Sequence, residues 1–273
     1  MSQLFSLENQ TIIVTGGLGL LGQEHVKVIL EHGGFPVVLD IQPFDEAMLV
    51  LNKINSPNST LDYFKCDITN ESEIEATKEK ILTKYSKIDG LINNAAIDPK
   101  VSNNGMNNVS RLEFFNLDQW QLELNVGLTG AMLCSKIFGY EMAKGSGGTI
   151  VNISSDLGII APNQNLYKQD GIQDDMQSVK PVTYSVIKHG LIGLTKYIAT
   201  YWADKGVRCN TLCPGGVYNQ QPDEFVSKVS NLIPMGRMAT PDEYQGAIVF
   251  LLSQASSYMN GETMVIDGGR STW

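Results

Sequence analysis

The sequence predicts an α/β chain built on a doubly wound parallel sheet, seven strands with helices on both faces. Three observations carry that expectation. Short β-rich apolar runs alternate with amphipathic segments from end to end. The first run leads through a cluster of glycines into a helical pattern. Of 273 residues, 42 % are hydrophobic and 18 % charged, which is enough apolar material to cover a sheet on both sides and excludes a disordered or collagen-like chain. Such alternation builds parallel strands joined by right-handed crossovers.

The strands are expected at 11–15, 36–40, 61–66, 88–92, 149–154, 207–212 and 263–266. Thr11-Ile-Ile-Val-Thr15 is wholly β-branched. The run 36–40 opens on Pro36 and closes on Asp40, and the later runs are similarly short, rich in Val, Ile and Leu, and bounded by turn residues. Helices are expected at 71–85, 118–144, 184–205 and 241–253, where apolar residues recur at three- and four-residue spacing. Two stretches break the rhythm. Residues 98–116 are rich in Asn and Ser and read as loop. Residues 156–183 hold Pro162, Asn163, Asn165, Gly171 and Pro181 and are too long for an ordinary connection. Because the alternation resumes after each, the expected organisation is one domain over 1–273, with an insert at about 156–183.

Twenty Lys and Arg against 29 Asp and Glu give a formal charge of −9, which repels phosphate backbones and anionic membranes. No apolar run reaches the roughly 18 residues that a membrane span needs. Residues 1–10 carry neither a basic region nor an apolar core, so no secretory signal is read and a cytoplasmic location is expected. The cysteines, Cys66, Cys134, Cys209 and Cys213, are expected to be reduced thiols. No metal site is expected, since the chain has three histidines and none lies near Cys209 and Cys213. His25, His32 and His189 read as ordinary helix residues, and Arg237 as a structural or interface arginine.

Gly17-x-Gly19-x-x-Gly22 follows the first strand directly and opens a helical pattern. Glycines there let the backbone turn tightly and approach a pyrophosphate, which would rest on the helix N-terminus. Asp40 ends the second strand, 18 residues past Gly22. Its carboxylate can accept from the ribose hydroxyls and would repel a 2′-phosphate, and no Arg or Lys stands at positions 18, 41 or 42 to hold one. NAD is therefore the expected cofactor. Tyr184 and Lys188 lie four apart in a helical segment, so their side chains share a face with Cβ atoms about 5–6 Å apart. A neighbouring cation stabilises a phenolate, which suits the phenol to proton exchange during hydride transfer at a carbinol or carbonyl carbon.

At these residues the chain resembles the short-chain dehydrogenase/reductase family, with its Rossmann fold, over almost its whole length. Thr15-Gly16-Gly17-Leu18-Gly19-Leu20-Leu21-Gly22 is similar to the family's cofactor loop, and Cys66-Asp67-Ile68-Thr69 to its adenine-contacting stretch. Asn93-Asn94-Ala95-Ala96 resembles its Asn-Asn-Ala-Gly motif. Asn125 matches its structural-catalytic asparagine, Ser155 the serine delivered by the fifth strand, and Tyr184 with Lys188 its catalytic pair. Cys213-Pro214-Gly215-Gly216-Val217 looks like the loop that meets the nicotinamide, and Val265-Ile266-Asp267-Gly268-Gly269 like the last strand of the compact branch. The resemblance implies Tyr184 as acid/base, Lys188 as the cation that lowers its pKa and binds the nicotinamide ribose, and Ser155 as the group holding the reacting oxygen. Asn125 would anchor a water between Lys188 and solvent. Gly16, Gly17, Leu18, Gly19, Leu20, Leu21, Gly22, Asp40, Asp67, Ile68, Asn94, Ala95, Ala96, Pro214, Gly215 and Val217 would join Tyr184 and Lys188 in binding the cofactor.

The chain departs from the family pattern in places. Its glycine spacing is that of the extended, sugar-nucleotide branch; Ala96 replaces a glycine; Asn219 stands where a threonine often contacts the nicotinamide amide; and 29 residues separate Ser155 from Tyr184, longer than usual. The insert holds Asn163, Gln164, Asn165, Tyr167, Lys168, Gln169, Asp170, Asp174 and Asp175, which suits a polyhydroxylated substrate better than an acyl chain or a steroid. With this insert, residues 180–210 also resemble the oxidoreductases of flagellin-glycan modification. A sugar-like or sugar-nucleotide substrate is thus expected, with 3-oxoacyl carrier-protein reductase or a non-catalytic cofactor-binding regulator as alternatives. The helices at 118–144 and 184–205, with Leu128, Met132, Ile198 and Trp202, are expected to pair in a homotetramer or homodimer.

Overall fold

The computed structural model describes residues 3–54, 60–97 and 108–273. Part of the loop expected at 98–116 therefore lies outside the described residues. Its described part forms two short turns, Asn108–Ser110 and Leu112–Phe114.

Alternate residues of the apolar runs point to opposite faces of a strand, so each run can serve two cores at once. Seven strands do so here: β1 (Thr11–Thr15), β2 (Phe35–Asp40), β3 (Asp62–Lys65), β4 (Gly90–Asn93), β5 (Gly148–Ile153), β6 (Val207–Pro214) and β7 (Thr263–Ile266). They form one sheet in the order β3-β2-β1-β4-β5-β6-β7, and all neighbours are parallel. On one face Ile12, Val14, Val38, Ile92 and Val151 pack against α1 (Leu20–Glu31), α2 (Phe44–Leu51) and α8 (Gln245–Leu252). On the other, Ile13, Val37, Leu39, Leu91 and Ile150 meet α3 (Glu71–Tyr85), α5 (Gly130–Lys144) and α6 (Val182–Tyr201). Two short helices escaped the periodicity, α2 and α7 (Asp223–Ser230).

The segment expected as one helix at 118–144 is interrupted. It comprises α4 (Leu117–Leu124), a wide turn Asn125–Thr129 in which the Gly130 N–H donates to the Asn125 carbonyl, and then α5. This i→i+5 bond is a π-type insertion, which shifts the register of the helix at Asn125. The helix expected at 184–205 begins at Val182 because Pro181 cannot continue it backwards, and ends at Tyr201.

Strand order reverses between β1 and β4. In an open parallel sheet the ligand crevice lies there, outside the carboxyl ends of the strands. That is where the motif residues gather.

Candidate active site

A cleft of about 860 Å³ opens over the carboxyl ends of the sheet. Its floor comes from residues at or just past the carboxyl ends of β1, β2, β4, β5 and β6: Gly16, Asp40, Asn94, Ser155 and Pro214.

The glycine loop is shaped by close packing. Gly16 has φ +61°, a left-handed backbone that a side chain disfavours. Gly22 packs so tightly that a Cβ would lie 2.3 Å from the Gly16 carbonyl oxygen. This lets α1 begin at Leu20 directly over the loop. Its N-cap, Gly19, has no side-chain cap, so the first N–H groups of the helix are not answered by a capping side chain. Such a helix end attracts an anion. Thr15 and Asn94 fix the loop from below. The Thr15 hydroxyl accepts from the N–H groups of Asn94 and Ala95, both at 3.1 Å. The Asn94 amide donates to the carbonyls of Thr15 and Gly16, at 3.1 and 2.9 Å. Asp40 accepts from the Ile41 N–H at 2.9 Å and, more weakly, from the Leu18 N–H at 3.4 Å, so its carboxylate is oriented beside the loop. Asp67 is held by Thr69, whose N–H and hydroxyl both donate to it. Uncapped helix start, glycine cradle and oriented carboxylate together fit a dinucleotide.

Ser155 lies just past β5, and α6 carries Tyr184 and Lys188 to the same cleft. The Lys188 ammonium is buried, donates to the Ile153 carbonyl at 2.8 Å, and sits 5.6 Å from the centre of the Tyr184 ring. Ser154 turns its hydroxyl to the Lys188 carbonyl at 2.7 Å and so ties β5 to α6. A buried polar chain behind the site, Asn93–Asn152–Thr195–Thr211, locks β4, β5, β6 and α6 together. Burial raises the pKa of Cys213, at the end of β6, which makes it a poor nucleophile.

Of the expected site residues, Gly16, Gly19, Leu20, Leu21, Asp40, Asp67, Ile68, Asn94, Ala95, Ala96, Ser155, Tyr184, Lys188, Pro214, Gly215 and Val217 line the cleft. Gly17, Leu18, Gly22 and Asn125 do not. A Cβ on Gly17 would strike Val38, 2.8 Å away, and Leu18 packs into the core, so these residues shape the loop from behind. Asn125 opens the π-type turn with its side-chain oxygen accepting from Gln121 at 2.8 Å.

Lys180, Asp156 and Arg270 are among the polar residues of the cleft that sequence reasoning missed. Lys180 places its ammonium 3.8 Å from the centre of the Tyr184 ring. Asp156 and Arg270 form a buried ion pair of 2.8 Å beside Ser155. Lys180 stands before Pro181 and so outside the helix, and Arg270 lies 114 residues from Asp156; no local spacing links either to the site. The insert also differs from its composition. Asn163, Gln164, Asn165, Gln169, Asp170, Asp174 and Asp175 do not line the cleft, whereas Pro162, Leu166, Tyr167 and Lys180 do. Leu166 joins Val229, Ile233 and Met238 in a small apolar cluster, and Tyr167 lies against Phe225 with ring centres 5.7 Å apart. This cluster pins the insert to α7. Arg237 is committed to Glu243 by two contacts of 2.6 and 2.7 Å.

Residues 10–168 match the family model described as short chain dehydrogenase, and residues 173–271 the model described as enoyl-(acyl carrier protein) reductase. Among curated relatives, 3beta-hydroxysteroid dehydrogenase 2 of Eggerthella lenta is 30 % identical over 98 % of this chain and 96 % of its own. Post-translational flagellin modification protein A of Campylobacter coli is also 30 % identical, over 96 % of this chain and 98 % of its own. Among solved structures, a gluconate 5-dehydrogenase from Burkholderia cenocepacia in complex with NADP and tartrate superposes with a TM-score of 0.85, covering 99 % of this chain and 98 % of that one at 23 % identity.

Proposed function

The chain belongs to the short-chain dehydrogenase/reductase family, and from that premise we propose that it moves a hydride between NAD(H) and a secondary alcohol or ketone. The observation that carries the proposal is the convergence of Ser155, Tyr184 and Lys188 on the cleft that also holds the glycine loop and Asp40. The nicotinamide ring supplies the hydride acceptor or donor. Tyr184 exchanges the proton with the substrate oxygen, Ser155 holds that oxygen, and Lys188 stabilises the phenolate and reaches the ribose. Asn125, at the turn between α4 and α5, anchors a water between Lys188 and solvent. The unit of function is the whole chain, 1–273, in the cytoplasm, as a homodimer or homotetramer. Among the described residues no helix is long and apolar enough to cross a membrane.

NAD is preferred to NADP because Asp40 meets the adenosine ribose with a negative charge. Titrating NADH and NADPH by fluorescence tests this, and equal or tighter NADPH binding refutes it. For the substrate, a sugar-like molecule with one C–H-lined face agrees with the wall. Tyr167 and Phe225 offer that face two apolar rings, while Lys180 and Asn219 offer its hydroxyls partners. The decisive experiment follows NADH formation with a panel of polyols, sugars, sugar acids and sugar nucleotides, alongside a 3β-hydroxysteroid and a 3-hydroxyacyl carrier protein. Turnover only of the steroid or the acyl substrate would overturn the sugar reading. Cofactor binding with no turnover of any class would favour a regulator.

A further inference from the structure

Two ammonium groups lie against the Tyr184 ring. Lys188 is 5.6 Å from the ring centre and Lys180 is 3.8 Å from it. Lys188 follows four residues on along α6, whereas Lys180 precedes Pro181 and is placed by contacts with the rest of the chain. Gln164, in the insert, clamps its backbone. The Lys180 N–H donates to Gln164 Oε1 at 2.8 Å, and the Lys180 carbonyl accepts from Gln164 Nε2 at 3.4 Å. On one side of Lys180, the Val179 N–H donates to the Ser110 hydroxyl at 3.0 Å. On the other, the Pro181 carbonyl accepts from the Tyr184 N–H at 3.2 Å. Gln164 does not line the cleft; it holds a residue that does. Lys180 is half-buried, so water and salt screen its charge less than at an open surface.

Other charged and titratable groups reach this part of α6 from the elements around it. Glu123 on α4 is buried and accepts from Gln119 and from the Thr183 hydroxyl. Asp156, just past β5, pairs with Arg270 at 2.8 Å. Arg270 is delivered by a turn in which the Asp267 carboxylate accepts from the N–H groups of Gly269 and Ser271. Cys213 closes β6, and Tyr167 comes from the insert. His189 on α6 is exposed and bonded to the Ser185 carbonyl. Of these, Glu123 opposes a further negative charge, and the Asp156–Arg270 pair is close to neutral. A neutral phenol draws a cation only through the quadrupole of its ring, whereas a phenolate spreads a full negative charge over oxygen and ring. A cation against the ring therefore favours the phenolate over the phenol. We infer that Lys180 is a second cation acting through Tyr184, which with Lys188 sets the pH at which that phenol gives up its proton. The inference rests on the oxidoreductase reading above for the use made of the phenolate.

The test compares Lys180→Met, which removes the charge and keeps the length, with Lys180→Arg, which keeps the charge. Lys180→Gln replaces the first should it fail to fold. One readout is the pH dependence of kcat/KM, at saturating NAD, for the panel alcohol that the unaltered chain oxidises fastest. Oxidation needs the phenolate, so activity rises with pH through the Tyr184 midpoint. The other readout needs no substrate. It is the near-ultraviolet phenolate absorbance of each full chain during an alkaline titration, with the matching Tyr184→Phe chain subtracted. In Lys180→Met both midpoints are expected to rise by about 0.5–1 pH unit, and in Lys180→Arg to stay within about 0.3 of the unaltered values. Unmoved midpoints in Lys180→Met would overturn the inference. A rise in KM or a fall in unfolding temperature without those shifts would make Lys180 a substrate contact or a structural residue, and would overturn it as well. So would a Tyr184 phenolate that does not form before the chain unfolds. If no panel alcohol is oxidised but the absorbance midpoint moves, the reading of function falls and the effect of Lys180 on Tyr184 stands. If alcohol is oxidised and both midpoints ignore Lys180, only the inference falls.

Discussion

Tyr184 and Lys188 are separable at the level of single atoms. Tyr184→Phe removes a transferable proton and leaves the ring to pack against Lys180. Turnover should fall by about 10²–10⁴-fold, the usual range for a general acid or base, while NADH affinity stays near normal. Lys188→Ala removes a buried ammonium that also holds the Ile153 carbonyl, so turnover and affinity should fall together. Near-normal turnover in Tyr184→Phe would refute the proton-transfer role. His25 makes a different kind of prediction. It is fully buried, neither ring nitrogen has a partner among the described residues, and burial drives its pKa down to about 3. The unfolded chain binds that proton near pH 6.5 and the folded one does not. Stability from this residue is therefore complete above about pH 6.5 and is lost as pH falls towards 3, by about 1.4 kcal/mol per unit. Urea midpoints at pH 7.5 and 5.0 should converge in His25→Leu relative to the unaltered chain; an identical acid loss in both would exclude His25 as the cause. A lone histidine on a helical pattern gave no hint of this, because burial on α1 depends on what α8 and the sheet bring against it.

Among the elements, the glycine loop and α1 form one device. Gly22→Ala puts a methyl 2.3 Å from the Gly16 carbonyl and 2.7 Å from the Gly17 Cα. Both are backbone atoms, so the helix must move off the loop. Overpacking of this kind costs about 1–3 kcal/mol, and NADH affinity should fall with the unfolding temperature; unchanged affinity by fluorescence titration would show that the helix start does not hold the phosphates. This device was legible in the sequence because strand, glycines and helix are contiguous. The break at Asn125 was not. Nothing in 118–144 interrupts the apolar period, and the π-type turn is a matter of which carbonyl each N–H finds. The insert was misleading for a related reason. Its composition is polar, yet Gln177 turns inward to hold Gln169 and Ile172, Leu166 and Tyr167 meet α7, and most of its polar side chains are left outside the cleft.

For the molecule as a whole, two of the residues expected to pair the helices with a partner are turned inward. Ile198 is buried and Trp202 packs within the core on the α3–α5–α6 face, so neither is offered to a partner. The large apolar side chains that α5 and α6 do expose are Met132, Tyr140, Val186, Tyr197 and Tyr201, the last two stacked with ring centres 5.5 Å apart. A homodimer or homotetramer formed through this face should appear by light scattering at micromolar concentration, and Tyr197→Glu with Tyr201→Glu should weaken it. A monomer in the unaltered protein would contradict the expectation.

Contiguous residues settled the parallel α/β class, the glycine cradle, Asp40 at the end of β2 and the Tyr184–Lys188 spacing. Each is a local pattern whose physical consequence, a tight turn, a helix start or a shared face, lies within a few residues of its cause. What depended on the folded chain was every feature made of distant partners. Arg270 reaches Asp156 only because β7 lies beside β6 and the Asp267 turn points back to the cleft. Lys180 faces Tyr184 only because Pro181 ends the loop where α6 begins. Leu166 and Tyr167 meet the cleft because α7 selects which side of the insert is covered. Periodicity records which residues a single element buries; it holds no record of the element that comes to meet them.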